Sequence, residues 1–169
     1  LQRTFMEAKK RNLPVVLDAD GLNLLTKLKL KSGIPRKMVI TPHPGEAARL
    51  VNKEVNKIQE DRFKSVTALE KKFGSVSVLK GSGSLVCYKR NGKQRIGVCE
   101  AGNPGMAKGG MGDVLAGLIG SFLSQGLSLV EATEVAVDLH SKSADIASLE
   151  LGMTITPTDV IRNIRYFLR

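Results

Sequence analysis

The densest concentration of chemically useful residues is a glycine-rich run, Ala101-Gly-Asn-Pro-Gly-Met-Ala-Lys-Gly-Gly-Met-Gly-Asp113, which leads straight into the apolar stretch Val114-Leu-Ala-Gly-Leu-Ile-Gly120. Glycines let the backbone approach a ligand closely, and the free amides of a helix start carry partial positive charge. Together they are a common way to hold a phosphate. Asp113 stands at that helix start. An acid there ordinarily acts as a cap or dipole partner, but beside a phosphate its carboxylate can also accept a hydroxyl proton. Phosphoryl transfer asks for little else than positioning and charge neutralisation by amides, a Lys or Arg, and Mg²⁺. No Gly-x-x-x-x-Gly-Lys-[Ser/Thr] run and no dinucleotide fingerprint after a first strand occurs, so the two commonest nucleotide motifs are absent.

Three further polar clusters follow short apolar runs that suit buried parallel strands. Pro14-Val-Val-Leu-Asp18 ends in Asp18-Ala-Asp20-Gly21-Leu22-Asn23, Met38-Val-Ile-Thr41 in Thr41-Pro-His43-Pro-Gly-Glu46, and Ser75-Val-Ser-Val-Leu-Lys80 in Lys80-Gly81-Ser82-Gly83-Ser84. Ligands of open parallel sheets bind outside the carboxyl ends of the strands. Polar sequence after three successive strands therefore points to one shared cleft, whereas after a single strand it is an ordinary turn. Asp18, Asp20 and Asn23 are secondary candidates there, because turn formation alone explains Asp-Gly and Asn. Pro42 and Pro44 hold His43 extended at a strand end.

Strands and helices alternate around these clusters. Helix is expected over Leu1 to Asn12, from about Gly21, over Glu46 to Val51, and over Gln59 to Phe73 with Phe63, Val66, Leu69 and Phe73 as its apolar stripe and Gly74 as its stop. Asn91-Gly92 is a strong two-residue hairpin turn between Leu85 to Lys89 and Arg95 to Cys99, which sets Cys87 opposite Ile96 and leaves Cys99 out of register with it. Two free thiols are expected. Beyond the glycine-rich run the chain reads as helical: Asp113 to Leu123, Leu129 to Leu149 with His140 in a structural place, and a last helix capped by Thr156 with Pro157 and Asp159 in its first turn. The pattern is α/β, a mostly parallel sheet with helices on both faces.

The 169 residues fit one domain, and the formal net charge of +10 favours an anionic partner. Much of that excess lies in scattered stretches such as Lys9-Lys10-Arg11, Lys27 to Lys31 and Lys71-Lys72, the usual make-up of solvated faces. A basic nucleic-acid-binding module is a competing class, weakened by an aromatic content of only 4% and the lack of any Trp. Free cysteines, together with the lack of a leader or membrane-length apolar run in the sequence, favour a cytoplasmic protein that contacts neither membrane nor nucleic acid. Leu1 to Lys10 reads as a helix already under way, so the expectation is a partial domain.

With Gly109-Gly110-Met111-Gly112-Asp113 in view, the chain resembles the ribokinase-like family. Val16 to Asn23, Thr41 to Leu50, Lys80 to Ser84 and Gly102 to Asp113, in that order, resemble its NAD(P)H-hydrate dehydratase branch over nearly the whole length. The resemblance implies that His43, Glu46 and Arg49 shape the site of the hydrated nicotinamide cofactor. It implies that Lys80, Gly81, Ser82, Gly83 and Ser84 bind an adenine nucleotide, that Asn103, Gly109, Gly110, Met111 and Gly112 cradle its phosphates, and that Asp113 is base toward the substrate hydroxyl. The activity implied is dehydration of NAD(P)H-hydrate driven by ADP or ATP with Mg²⁺. The runner-up is a ribokinase-like kinase of a vitamin-precursor alcohol, and a non-catalytic partner is a third reading. The resemblance further implies a homo-oligomer, and a missing amino-terminal portion that supplies part of the pocket, from another chain if not from the same one. A sheet edge left open by that truncation would be sticky.

Overall fold

In the computed structural model, which describes residues 1–28 and 33–168, one five-stranded sheet runs in the order β1 to β5, with β1 Val15–Leu17, β2 Met38–Ile40, β3 Val76–Leu79, β4 Ser84–Arg90 and β5 Lys93–Cys99. The basic stretch ending at Lys31 falls partly outside the described residues. β1, β2 and β3 are parallel, and β4 and β5 are added antiparallel. Asn91 and Gly92 both have positive φ, 51° and 74°, as the mirror-type turn requires, and Cys87 pairs with Ile96 as its spacing predicts. Both cysteines are free.

The α/β expectation holds, and the strand side chains divide the core in two because successive residues point to opposite faces. Leu17, Met38, Ile40, Leu79 and Leu85 face helices α1 Gln2–Lys10, α2 Ala19–Lys27, α3 Pro44–Val51, α4 Val55–Glu60 and α5 Arg62–Phe73. Val39, Val76, Val78 and Val86 face α6 Met111–Ser124, α7 Leu129–Leu151 and the end of α8 Pro157–Ile164. Helix limits follow local chemistry: Gly74 closes α5 in the left-handed region at φ 60°, and reciprocal capping boxes start α7 (Ser128 with Glu131) and α8 (Thr156 with Asp159).

Three expectations need correction. The helix expected over Gln59 to Phe73 is broken at Asp61, whose extended backbone (φ −142°, ψ 85°) ends α4 and whose carboxylate caps α5 by accepting from the Lys64 amide at 2.8 Å. In the apolar stripe of α5, Val66 and Leu69 are fully buried, but Phe63 is 54% exposed, because Arg62 and Ser65 take the inward positions of the first turn. Asp20 and Asn23 lie inside α2, which begins at Ala19, rather than in a turn.

Leu69→Ala is expected to cost about 2–5 kcal/mol of stability and Phe63→Ala about 0.5 kcal/mol or less, because only the first removes atoms from a closed core. Urea unfolding of the two variants checks this, and equal losses would contradict the exposed placement of Phe63.

Candidate functional site

The three parallel strands all end at one edge of the sheet, and the ladder continues just past them. The Thr41 amide donates to the Leu17 carbonyl at 3.2 Å, and the Lys80 amide to the Pro42 carbonyl at 2.9 Å. The segments beginning at Asp18, Thr41 and Lys80 therefore leave side by side. Asp18 occupies the N-cap position of α2, yet its carboxylate does not cap that helix. It accepts instead from the Lys80 ammonium at 2.8 Å, with the carboxylate of Glu46 4.0 Å from the same nitrogen. These three side chains are largely withdrawn from solvent, 11%, 21% and 6% exposed for Asp18, Lys80 and Glu46.

Glu46 reaches that position because it is the third residue of α3. Its carboxylate accepts from the His43 amide at 2.8 Å, while His43 Nδ1 accepts from the Gly45 and Glu46 amides at 3.0 and 3.4 Å. The His-Pro-Gly-Glu run is thus a capping box with an imidazole in the place of the usual hydroxyl. With Nδ1 accepting, the ring proton belongs on Nε2, which lies 3.5 Å from Glu46 Oε1 on a half-exposed side chain. Arg49, one turn later, donates from Nε to Asn23 Oδ1 at 3.1 Å, and Asn23 in turn lies 3.5 Å from Asp20 Oδ1. The two secondary candidates so join the same edge through Arg49.

The Lys80 to Ser84 loop turns at Gly81 (φ 144°) and Gly83 (φ 65°). Arg62, at the start of α5, fills the space beneath it. Its guanidinium donates to the carbonyls of Leu79 at 3.2 Å and of Ser82, and a Cβ on Gly81 would lie 3.0 Å from Nη2. Ser84 Oγ closes the loop on the Gly81 carbonyl at 3.3 Å.

The glycine-rich run arrives over this edge from the α7 side. Gly110, at φ 89°, is the N-cap of α6, and a Cβ there would strike Pro157 Cγ at 2.9 Å. Gly112 also makes a close approach: a Cβ on it would lie 3.0 Å from Asp18 Oδ2 and 3.1 Å from Lys80 Nζ. The Asp18–Lys80 pair therefore sits directly against the first turn of α6, and a side chain at 112 would require the pair to shift. Gly109 faces open space, and Asp113 is exposed in the first turn of α6. Asn103 is engaged within the loop, accepting from the Gly105 amide at 3.1 Å and donating to Asp145 at 2.9 Å. Lys108 is turned away, donating to the carbonyls of Met153 and Ile155 at 3.0 and 2.9 Å. Hollows at the hairpin tip (Arg90, Asn91, Lys93, Arg95) and along α4 lie apart from this edge and share none of its residues.

His140 is buried in α7 behind the loop. Burial, reinforced by the nearby Lys80 charge and opposed by a backbone hydrogen bond with Met111, holds its pKa down at about 4. Its Nε2 is buried without a partner, as is the hydroxyl of Thr41 at the end of β2. Sequence reasoning singled out the loops and His43, Glu46, Arg49 and Asp113. It did not find the partner of Lys80 or the roles of Arg62 and Asp145, since none of those three pairs with a residue near it in sequence. The ion pair of Asp18 and Lys80 spans 62 positions.

An α/β sheet edge fitted with a glycine-rich helix start, a shielded Lys and an exposed Asp is an arrangement of open α/β folds suited to an anionic ligand. Residues 1–165 match the family model described as NAD(P)H-hydrate dehydratase, and the chain belongs to that family. It is 44% identical over 155 residues to the bifunctional NAD(P)H-hydrate repair enzyme Nnr of Coxiella burnetii, covering 91% of this chain and 30% of that protein. It is 41% identical over 143 residues to the ADP-dependent (S)-NAD(P)H-hydrate dehydratase of Neisseria meningitidis, covering 83% of this chain and 47% of that one. The Bacillus subtilis ADP/ATP-dependent NAD(P)H-hydrate dehydratase, co-crystallised with ATP/Mg²⁺, superposes with a TM-score of 0.80 at 28% identity, over 91% of this chain and 53% of its own. The chain thus spans about a third to a half of the length of these relatives. Among the described residues no helix is long and apolar enough to cross a membrane.

A depressed His140 pKa makes a signed prediction. The unfolded chain binds a proton near pH 6.5 that the folded chain refuses until about pH 4, so this contribution to stability is complete above pH 6.5 and is lost as pH falls toward 4. The loss attributable to His140 is expected to reach about 3 kcal/mol. Denaturant unfolding between pH 7 and 4 should give a clearly shallower slope for His140→Gln than for the native chain.

Proposed function

We infer that this edge carries out the nucleotide-driven dehydration of a hydrated nicotinamide dinucleotide, returning NAD(P)H. The observation that carries the reading is the Asp18–Lys80 pair lying against Gly112, one residue before an exposed Asp113. It gives a place for phosphate oxygens, at the amides of Gly110 and Gly112, immediately beside a carboxylate free to meet a substrate hydroxyl. The names borne by the relatives from Coxiella, Neisseria and Bacillus support the same reaction.

On this reading Lys80 to Ser84 and Gly105 to Gly112 hold ADP or ATP, and His43, Glu46 and Arg49 border the dihydropyridine ring, the Nε2 side of His43 facing it because Nδ1 is spent on the cap. Asp113 accepts the proton of the ring hydroxyl as its oxygen attacks the terminal phosphorus, and the shortened nucleotide departs. The C–O bond then breaks with phosphate as leaving group, and loss of a proton from the neighbouring ring carbon restores the double bond. A kinase would stop after the first of these steps. Mg²⁺ neutralises the phosphate oxygens when bound. Asp18, Glu46 and Asp113 are the carboxylates at this edge that would be available to the ion or to its waters, with the nucleotide phosphates supplying the other oxygens. Residues 1–169 act as one unit of a cytoplasmic homo-oligomer in this proposal. The part of the pocket they do not form comes from polypeptide outside them, in the same protein or in another chain.

In the intact protein, supplied with hydrated NADH, Mg²⁺ and ADP or ATP, dihydronicotinamide absorbance should return. Asp113→Asn should lower kcat by about 100-fold or more with nucleotide affinity little changed. Accumulation of a stable phosphorylated product would favour the kinase reading, and no turnover with either nucleotide would overturn both.

A further inference from the structure

The carboxylate of Asp145, in the middle of α7, is used twice by the glycine-rich loop. Its Oδ2 accepts from the Gly102 amide at 2.8 Å and its Oδ1 from the Asn103 side-chain amide at 2.9 Å. Asn103 passes the constraint on, its Oδ1 accepting from the Gly105 amide at 3.1 Å. One turn earlier on α7, Ser141 packs against Gly102, whose φ of 109° and whose closeness to Met106 and Ser141 leave no comfortable space for a side chain. The loop is thus fastened at its entry to a helix that contributes no residue to the edge itself.

We propose that Asp145 is a positioning residue: it sets the entry of the phosphate-facing loop by fixing the Gly102 amide and the rotamer of Asn103, so that Asn103 serves the loop and not the ligand. The inference takes the nucleotide reading of the loop as its starting point. A carboxylate suits the place because both groups facing it are donors. An amide does not. With Asp145→Asn, one donor must oppose another, at Gly102, at Asn103 or at Gly105, whichever way the two amides are turned. Asn103→Asp alone sets two carboxylates face to face. The two changes together restore every bond: the new amide accepts from Gly102 and donates to the new carboxylate, whose second oxygen accepts from Gly105.

The test is this swap in the intact protein, read by calorimetric titration with ADP and by hydrogen exchange of the Gly102 and Gly105 amides. Each single change should weaken ADP binding by about threefold to tenfold and speed exchange at the loop amides by a similar factor, the effect of opposing two donors or two carboxylates in a partly buried cluster. The double variant should return both to within about threefold of the native protein. ADP binding weakened by both single changes but not recovered in the pair would overturn the proposal and put Asn103 against the ligand. Single variants that bind ADP and exchange like the native protein would overturn it as well. If the native protein binds no ADP, exchange that follows the swap upholds the fastening and removes the nucleotide reading instead, and exchange that ignores the swap overturns the fastening too.

Discussion

An ammonium cannot rest against the amino end of a helix without negative charge beside it, since both carry positive potential. Lys80 does rest there, and the rest of the site depends on how that is allowed. Asp18 pairs with it at 2.8 Å, and Glu46 stands 4.0 Å away. Each carboxylate comes from the residue stretch that follows a different parallel strand, so the register of β1, β2 and β3 decides whether the three groups meet. Removing one partner would leave charge in a place that is poorly solvated, which is more damaging than never having had the pair. Gly112 is part of the same arrangement, because a Cβ there would lie 3.0 Å from Asp18 Oδ2 and 3.1 Å from Lys80 Nζ and crowd the pair.

Much of this was legible in the sequence where the cause is local. Asn91-Gly92 can only favour a mirror-type turn, and the pairing of Cys87 with Ile96 follows from it by counting. Gly74, and Thr156 with Asp159, mark helix limits through bonds to their near neighbours. The alternation of apolar runs with polar loop clusters pointed to three parallel strands whose carboxyl ends leave at one edge, as they do. His43 and Glu46 were visible as a pair, although the sequence pointed to a ligand contact and the structure gives them first a local task, opening α3.

What was not legible depends on partners far along the chain or on a single irregular residue. Asp61 breaks a helix that apolar spacing runs straight through, and Phe63, apolar by type, faces water while Arg62 and Ser65 of the same turn face inward. Asp20 and Asn23 resemble turn residues by type, but the backbone goes helical at Ala19, so they reach the site only through Arg49. Arg62 and Asp145 carry no motif around them. Each acts across the fold on a loop that the sequence did single out, Arg62 beneath Gly81 and Asp145 behind Gly102.

The positive net charge was the weakest guide, and the geometry says why. Most cations near the site are already engaged: Lys80 with carboxylates, Arg62 with the carbonyls of Leu79 and Ser82, Lys108 with those of Met153 and Ile155, while Arg49 is exposed and uses only Nε, on Asn23. Much of the exposed excess lies elsewhere, for example at the hairpin tip with Arg90, Lys93 and Arg95. An anion at this edge would therefore be held mainly by oriented backbone amides, a shielded ammonium and the Arg49 guanidinium. Such a site discriminates by shape and direction rather than by total charge, and that is the property a phosphate loop needs if it is to hold a leaving phosphate loosely enough to release it.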